Sequence, residues 1–259
     1  MGEALLSRLI AQKVFQPAEV IVSEPQQQRR SILEQQYGVQ VTADNSFVAL
    51  NTSVLLLAVK PQVFSEVAQE LAVVATSARE PKLLVISILA GVLISHLEAA
   101  FPQLPVIRAM PNTPATVGAG MTAISLGSYT SDSHKKTAQQ LFSAVGEVVE
   151  VPETLMDAVT GLSGSGPAYV AMMVEALSDG GVAAGLPRAI ATKLALQTVK
   201  GTVALLQETG IHPAELKDRV TSPGGTTIAG VRELERAGFR SCLIEAVQAA
   251  KQRSQELGS

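Results

Sequence analysis

The stretch from Thr221 to Glu235, TSPGGTTIAGVRELE, gathers residue types that could do chemistry. Pro223 fixes one backbone angle, Gly224 and Gly225 permit positive φ and close backbone approach, and apolar Ile228, Val231 and Leu234 follow at helical spacing. The predicted element is a loop that opens a helix, with Thr226 or Thr227 as the cap. A helix start offers unpaired N–H groups and the positive end of the helix dipole, which suit a carboxylate or a phosphate. Ser222, Thr226 and Thr227 add neutral hydroxyls. By spacing alone an ordinary capped loop is the simpler reading, since Gly and Pro punctuate chains everywhere.

Further segments accompany the loop: PAELKDRV leads into it from Pro213, AVKP spans Ala58 to Pro61, MPNTP spans Met110 to Pro114, DAVTGLSGSGPAY spans Asp157 to Tyr169, and AGFRS spans Ala237 to Ser241. With these motifs the chain resembles pyrroline-5-carboxylate reductase over nearly its whole length. The resemblance implies the last step of proline synthesis, reduction of 1-pyrroline-5-carboxylate to L-proline by hydride from NAD(P)H. It implies that the backbone amides of Ser222, Gly224, Gly225 and Thr226 hold the substrate carboxylate, that Thr227 bonds the ring nitrogen, and that Glu153 and Ser165 line the pocket. Cofactor contacts are implied for Ala58, Val59, Lys60 and Pro61, for Asn45, for Ser87, Ala90 and Gly91, and for Asp218 and Arg219. Read as residues alone, Lys60 is a solvated strand end, and Asp218 and Arg219 solvate their helix.

No general acid or base is needed for such a reaction. A protonated imine is already electrophilic, so the protein aligns the reacting carbons and holds the carboxylate. His96, His134 and His212 lie outside the matched loops and read as surface or cap residues. Two other readings share the architecture: a related imine or 3-hydroxyacid reductase, and a non-catalytic dimeric protein with a crippled cofactor site.

The chain that must position these groups has 259 residues, 47% apolar and 17% charged, a balance that supports a sizeable core. A net charge of −3, no Trp, and only six Phe and three Tyr argue against a nucleic-acid surface built on phosphate contacts and stacking. One cysteine, Cys242, excludes an intrachain disulfide framework, fits a reducing cytoplasm, and reads as buried helix packing; no Cys/His cluster suggests a metal. The most apolar run, Leu83 to Ile94, is too short to span a bilayer, and the N-terminus lacks a signal peptide's basic segment.

The first half alternates strand and helix. Helices are predicted from Leu5 to Ile10, Gln26 to Gln36, Pro61 to Val74 and Val92 to Phe101. Strands are predicted at Val20 to Ser23, Val39 to Val41, Val54 to Val59, Leu83 to Ser87, Val106 to Arg108, Met121 to Leu126 and Val148 to Val151. Continuous Val, Leu and Ile strands suit a parallel sheet covered on both faces, a Rossmann-like α/β domain over residues 1–152. Its functional loops fall after strand C-termini, at Ser23, Lys60 and Ser87. Gly2 stands where the last glycine of G-x-G-x-x-G would be, so the first strand and the earlier glycines are expected to be missing, leaving open ladders at the Val20 and Leu83 strands. At the second strand's end, Glu24 suits a ribose 2′-OH and Arg29 or Arg30 suits a 2′-phosphate, which leans the cofactor toward NADPH with NADH possible.

From residue 153 to 259 the pattern is helical throughout, and helices rich in Gly and Ala, such as GPAYVAMMVEALSDGGVAAG, are too apolar to face water alone. They predict an all-α substrate-binding and dimerisation domain. By the resemblance such helices interlock two subunits into a homodimer, which can assemble further.

Overall fold

The computed structural model describes residues 1–72 and 83–258. The end of the predicted helix at Val73 and Val74 lies outside the described residues. The chain divides into two compact units, Met1–Ser165 with Ala249–Ser259, and Gly166–Gln248.

In the first unit, β1 (Ile21–Ser23) pairs in parallel with β2 (Gln40–Thr42). A second sheet runs β3 (Val54–Leu57), β4 (Leu84–Ser87), β5 (Val106–Met110), β6 (Gly120–Leu126) and β7 (Gly146–Glu150), in that order. Leu83, just before β4, and the three residues after it show why continuous apolar strands work here. Leu83 and Val85 enter one core cluster with Leu55, Leu57 and Val106, whereas Leu84 and Ile86 enter another with Ile107 and Ile124. Successive strand side chains point to opposite faces, so a strand buried on both faces must be apolar at every position.

Each face has its own helical cover. Val48 and Ala49, Ile94 and Leu97 cover the first; Leu5 and Leu9, Ala138, Leu141 and Phe142 cover the second. The helix Gly2–Ala11 does two jobs, since its Leu5 and Leu9 join the large sheet's cluster while Leu6 joins Leu33 and Val39 beside the small sheet. Fully burying a leucine is worth about 1.5–3 kcal/mol, so three of them tie both sheets to one helix.

Two expectations are corrected. The large sheet is not wholly parallel: β5 and β6 run antiparallel, with Met110 opposite Ala123. Their connection, Pro111 to Ala119, holds only a short 3₁₀ turn at Thr113–Val117, and a parallel crossover needs a dozen residues or more. Of the two strands expected to carry open ladders, the Val20 strand does, since β1 pairs only with β2 among the described residues, but the Leu83 strand does not: β4 is paired on both sides, and the edge of the large sheet lies at β3.

Two helices not anticipated from the sequence complete this unit. Asn45–Asn51 is capped by Asp44, whose carboxylate accepts from Phe47 N–H at 3.0 Å, and Asp132–Ser143 is capped by Ser131.

The second unit is helical. Gly166–Ala183 packs on Arg188–Thr209, and a Cβ on Gly181 would lie 2.9 Å from that of Ala191, so the small residues set the approach. Pro213–Arg219, Thr226–Arg236 and Phe239–Gly258 follow, the last passing from this unit into the first at Ala249. Its Cys242 is exposed, which corrects the expectation of a packed thiol.

Candidate active site

The signature loop of the second unit is a turn of defined type. Gly225 N–H donates to Ser222 O at 3.0 Å across Pro223 and Gly224, and Gly224 has φ +66°. Proline second and a positive-φ glycine third make a type II turn. The helix begins at Thr226 with Gly225 as its cap and no side-chain acceptor, so neither Thr226 nor Thr227 caps it. The expected threonine cap is therefore corrected: both threonines lie inside the first turn, where the first N–H groups have no intrahelical acceptor. Thr226 is exposed and Thr227 half-buried. A Cβ on Gly225 would collide with the Ser222 hydroxyl. Just upstream, Asp218 pairs with Lys217 at 2.6 Å and Arg219 with Glu215 at 2.7 Å, all on the Pro213–Arg219 helix.

In the first unit, residues carried over for the cofactor cluster at strand ends. Leu57 pairs with Ser87, so the segments after β3 and β4 leave the sheet side by side. After β3 come Ala58, Val59, Lys60 and Pro61, all exposed, with Lys60 capping a 3₁₀ turn. After β4, the buried Ser87 hydroxyl accepts from Leu89 N–H at 3.3 Å, Ala90 is exposed, and Gly91 has φ +79°. A Cβ on Gly2 would lie 2.9 Å from that of Ala58, the close helix-to-strand approach that the last glycine of a dinucleotide fingerprint permits.

After β1, Ser23 and Glu24 are half-buried. The Glu24 carboxylate accepts from Gln26 N–H at 2.9 Å, just before the helix Gln27–Tyr37. Arg30 folds back, donating to the carbonyls of Glu24 at 2.7 Å and Pro25 at 2.8 Å, whereas Arg29 pairs with Glu3. Tyr37 OH also donates to Glu3 at 3.1 Å, and burial followed by that carboxylate raises its pKa. Asn45 donates to Glu70 at 2.6 Å.

Glu153 accepts from Ile94 N–H at 2.7 Å and from Arg108 at 2.9 Å. Ser165 follows a π-helical turn, Thr160–Gly164, and donates its N–H to Thr160 O. Asn112 of MPNTP pins that turn, donating to Ser163 O at 3.0 Å and accepting from Met121 N–H at 2.8 Å. Asp157 of the same segment accepts from Ser254 at 2.7 Å. Neither Asn112 nor Arg108 has a task in the sequence pattern alone. The signal for Arg108 was present: an arginine inside the apolar strand VIRAM needs a carboxylate when the strand is buried. His134 and His212 serve as helix caps and His96 is exposed, as expected.

Comparison with known proteins covers the chain. Residues 153–257 match the family described as pyrroline-5-carboxylate reductase dimerisation, and residues 1–91 match NADP oxidoreductase coenzyme F420-dependent. The pyrroline-5-carboxylate reductase of Synechocystis sp. is 62% identical over 258 residues, covering 100% of this chain and 95% of that protein. That of Methanosarcina acetivorans is 44% identical, covering 100% and 94%. Among solved structures, the pyrroline-5-carboxylate reductase of Coxiella burnetii matches with a TM-score of 0.91 and 35% identity over 100% of this chain and 95% of that one. The Plasmodium falciparum pyrroline carboxylate reductase, solved with NADP bound, gives 0.90 and 30% over the same shares.

Proposed function

The chain belongs to the pyrroline-5-carboxylate reductase family, an oxidoreductase that reduces 1-pyrroline-5-carboxylate to L-proline with NAD(P)H, and we propose that its Ser222–Thr227 turn binds the substrate. The observation that carries this reading is the type II turn feeding a helix whose cap brings no side-chain acceptor. The N–H groups of Gly224 and Thr226 and the Ser222 hydroxyl receive the substrate carboxylate, which the helix dipole favours, while the Gly225 N–H closes the turn onto Ser222 O. Thr227 bonds the ring nitrogen.

The strand-end segments fit a dinucleotide: the cradle at Gly2 and Ala58 admits no side chain, and Gly91 has the positive φ of a tight loop. Bound NAD(P)H supplies the hydride. Ser23, Asn45, Ala58 to Pro61, and Ser87 to Gly91 hold and orient it. The iminium nitrogen already carries the proton that the product amine keeps, so hydride addition leaves no proton for a protein acid to supply. Turn and loops accelerate the reaction by alignment.

NADPH is preferred in this reading, because Arg30 is held at the β1 end by two carbonyls while the Glu24 carboxylate accepts from Gln26 N–H. Residues 1–152 form the cofactor domain and 153–259 the substrate and dimerisation domain. A homodimer that assembles further fits the exposed Met172, Leu196 and Ile244. Among the described residues no helix is long and apolar enough to cross a membrane, and a single exposed cysteine fits a reducing cytoplasm. The test is NADPH oxidation with pyrroline-5-carboxylate, proline identified by mass, and a panel of cyclic imines and 3-hydroxyacids run beside it. Faster turnover of another panel member would reassign the substrate.

A further inference from the structure

Glu153 reached the candidate site as a pocket residue, yet its contacts lead elsewhere. It opens the 3₁₀ turn Glu153–Leu155, and one carboxylate oxygen, Oε1, receives both Ile94 N–H at 2.7 Å and Arg108 Nη1 at 2.9 Å. Arg108 lies on β5 with 4% of its side chain exposed, so this guanidinium is out of water and depends on a carboxylate. Ile94 is the first residue of the helix Ile94–Ala100, reached from β4 through the Ser87–Gly91 loop. Leu93, its cap, has an extended backbone and no side-chain bond, so Glu153 supplies the acceptor that the cap does not.

We propose that Glu153 is a positioning residue for the cofactor: the buried Arg108 holds its carboxylate, and the carboxylate holds the C-terminal end of the loop after β4. The β4 end of that loop is already fixed, because Ser87 pairs with both Leu57 and Arg108. The Ile94 bond therefore fixes the second of the loop's two ends. With both ends anchored, Ala90 and Gly91 have little freedom, and little ordering remains to be done when the cofactor binds. The inference rests on the proposal that the Ser87–Gly91 loop contacts the cofactor. It assigns Glu153 to that side of the reaction and removes it from the substrate pocket.

The experiment uses the full chain and reads KM for NADPH and KM for pyrroline-5-carboxylate separately. Glu153→Ala leaves a buried guanidinium unpaired and can fail to fold, so the informative variant is the double Arg108→Met, Glu153→Leu, which replaces the ion pair with apolar side chains. It should raise KM for NADPH about tenfold, the effect of one lost charge-assisted hydrogen bond, while KM for pyrroline-5-carboxylate stays within about twofold. Arg108→Met with Glu153→Gln, which keeps an acceptor oxygen for Ile94 N–H and leaves no buried charge unpaired, should keep KM for NADPH within about threefold of the parent. Ala90→Asp tests the underlying reading, since a carboxylate in a cofactor loop repels phosphate. If Ala90→Asp weakens NADPH and the Arg108→Met, Glu153→Leu variant does not, the clamp is wrong and the loop assignment stands. If Ala90→Asp changes nothing, the loop assignment falls and the inference with it. A rise confined to KM for pyrroline-5-carboxylate would return Glu153 to the substrate pocket.

Discussion

Replacing Gly224 with alanine isolates the geometry of the substrate turn. A Cβ at Gly224 would meet no atom within 4 Å, so sterics against neighbours contribute nothing and the whole cost is torsional. At φ +66° an L side chain costs about 1–2 kcal/mol. The free protein avoids this by flipping the Pro223–Gly224 peptide toward a type I turn, in which both central residues have negative φ. The flip re-aims the N–H of residue 224, and binding the substrate carboxylate must reverse it. The torsional cost then falls on binding: about 1–2 kcal/mol corresponds to a rise in KM for pyrroline-5-carboxylate of roughly five- to thirtyfold. KM for NADPH and the melting temperature should hardly move, because the turn is exposed. Gly210 is the control, with φ +65°, no atom within 4 Å of a built Cβ, and a place at the end of the Arg188–Thr209 helix. Gly210→Ala carries the same torsional cost away from the turn, so it should lower the melting temperature and leave both KM values alone. Initial rates of NADPH oxidation over a substrate series, with thermal melts of both variants, make the comparison. An unchanged KM for pyrroline-5-carboxylate in Gly224→Ala, or equal KM shifts in the two variants, would refute the turn as the carboxylate site.

Thr227→Ala should lower turnover about ten- to a hundredfold without loss of fold, the effect of one hydroxyl hydrogen bond, and Thr227→Ser should keep most of the activity; unchanged kinetics in the alanine variant would remove the hydroxyl from the mechanism. Arg30→Ala should weaken NADPH by an order of magnitude, roughly, and NADH little, since only the former carries a 2′-phosphate, whereas Arg29→Ala should be milder because that guanidinium is engaged by Glu3. Equal losses for both cofactors, measured by fluorescence titration, would show that Arg30 does not read the 2′ position. The Tyr37 phenol, raised by burial and then by Glu3, is favoured neutral in the folded chain, so its contribution is complete below the ordinary tyrosine value of 10.0 and is lost as pH rises through the higher folded value. Ultraviolet titration should show one tyrosine ionising late, and that late step should vanish in Tyr37→Phe.

The sequence made legible whatever depends on local pattern. VLLLAV and LLVIS announce strands buried on both faces because no polar residue interrupts them, and both are paired strands in the large sheet. The Pro-Gly-Gly run announces its turn because proline at the second position and a positive-φ glycine at the third leave few alternatives. The helix Asp132–Ser143 was illegible for the opposite reason. SDSHKKTAQQLFS presents only Ala138, Leu141 and Phe142 to the core, and its start is set by the Ser131 cap, a signal indistinguishable from a polar loop without the sheet beside it. The direction of β6 was likewise illegible strand by strand, although the nine residues from Pro111 to Ala119 limit it once the neighbour is known.

Partners across the fold are the level that pattern does not reach, and Glu153 shows why. In sequence it is a glutamate where strands give way to helices, and its family position is all that marks it. What decides its task is that Arg108, 45 residues earlier, sits inside a buried strand and that Ile94, 59 residues earlier, begins a helix with no cap of its own. Each neighbour lacks something that a carboxylate supplies: one a counter-charge, the other an acceptor. Both needs are visible locally, as an arginine among VIRAM and as a leucine at a helix cap, and only the fold reveals that one oxygen meets both. The same logic separates the two arginines after β1, identical in sequence context yet divided by what lies in reach: a carboxylate on the first helix for Arg29, two loop carbonyls for Arg30. Residue type therefore sets what a side chain must find, and tertiary placement sets which need becomes part of the active site.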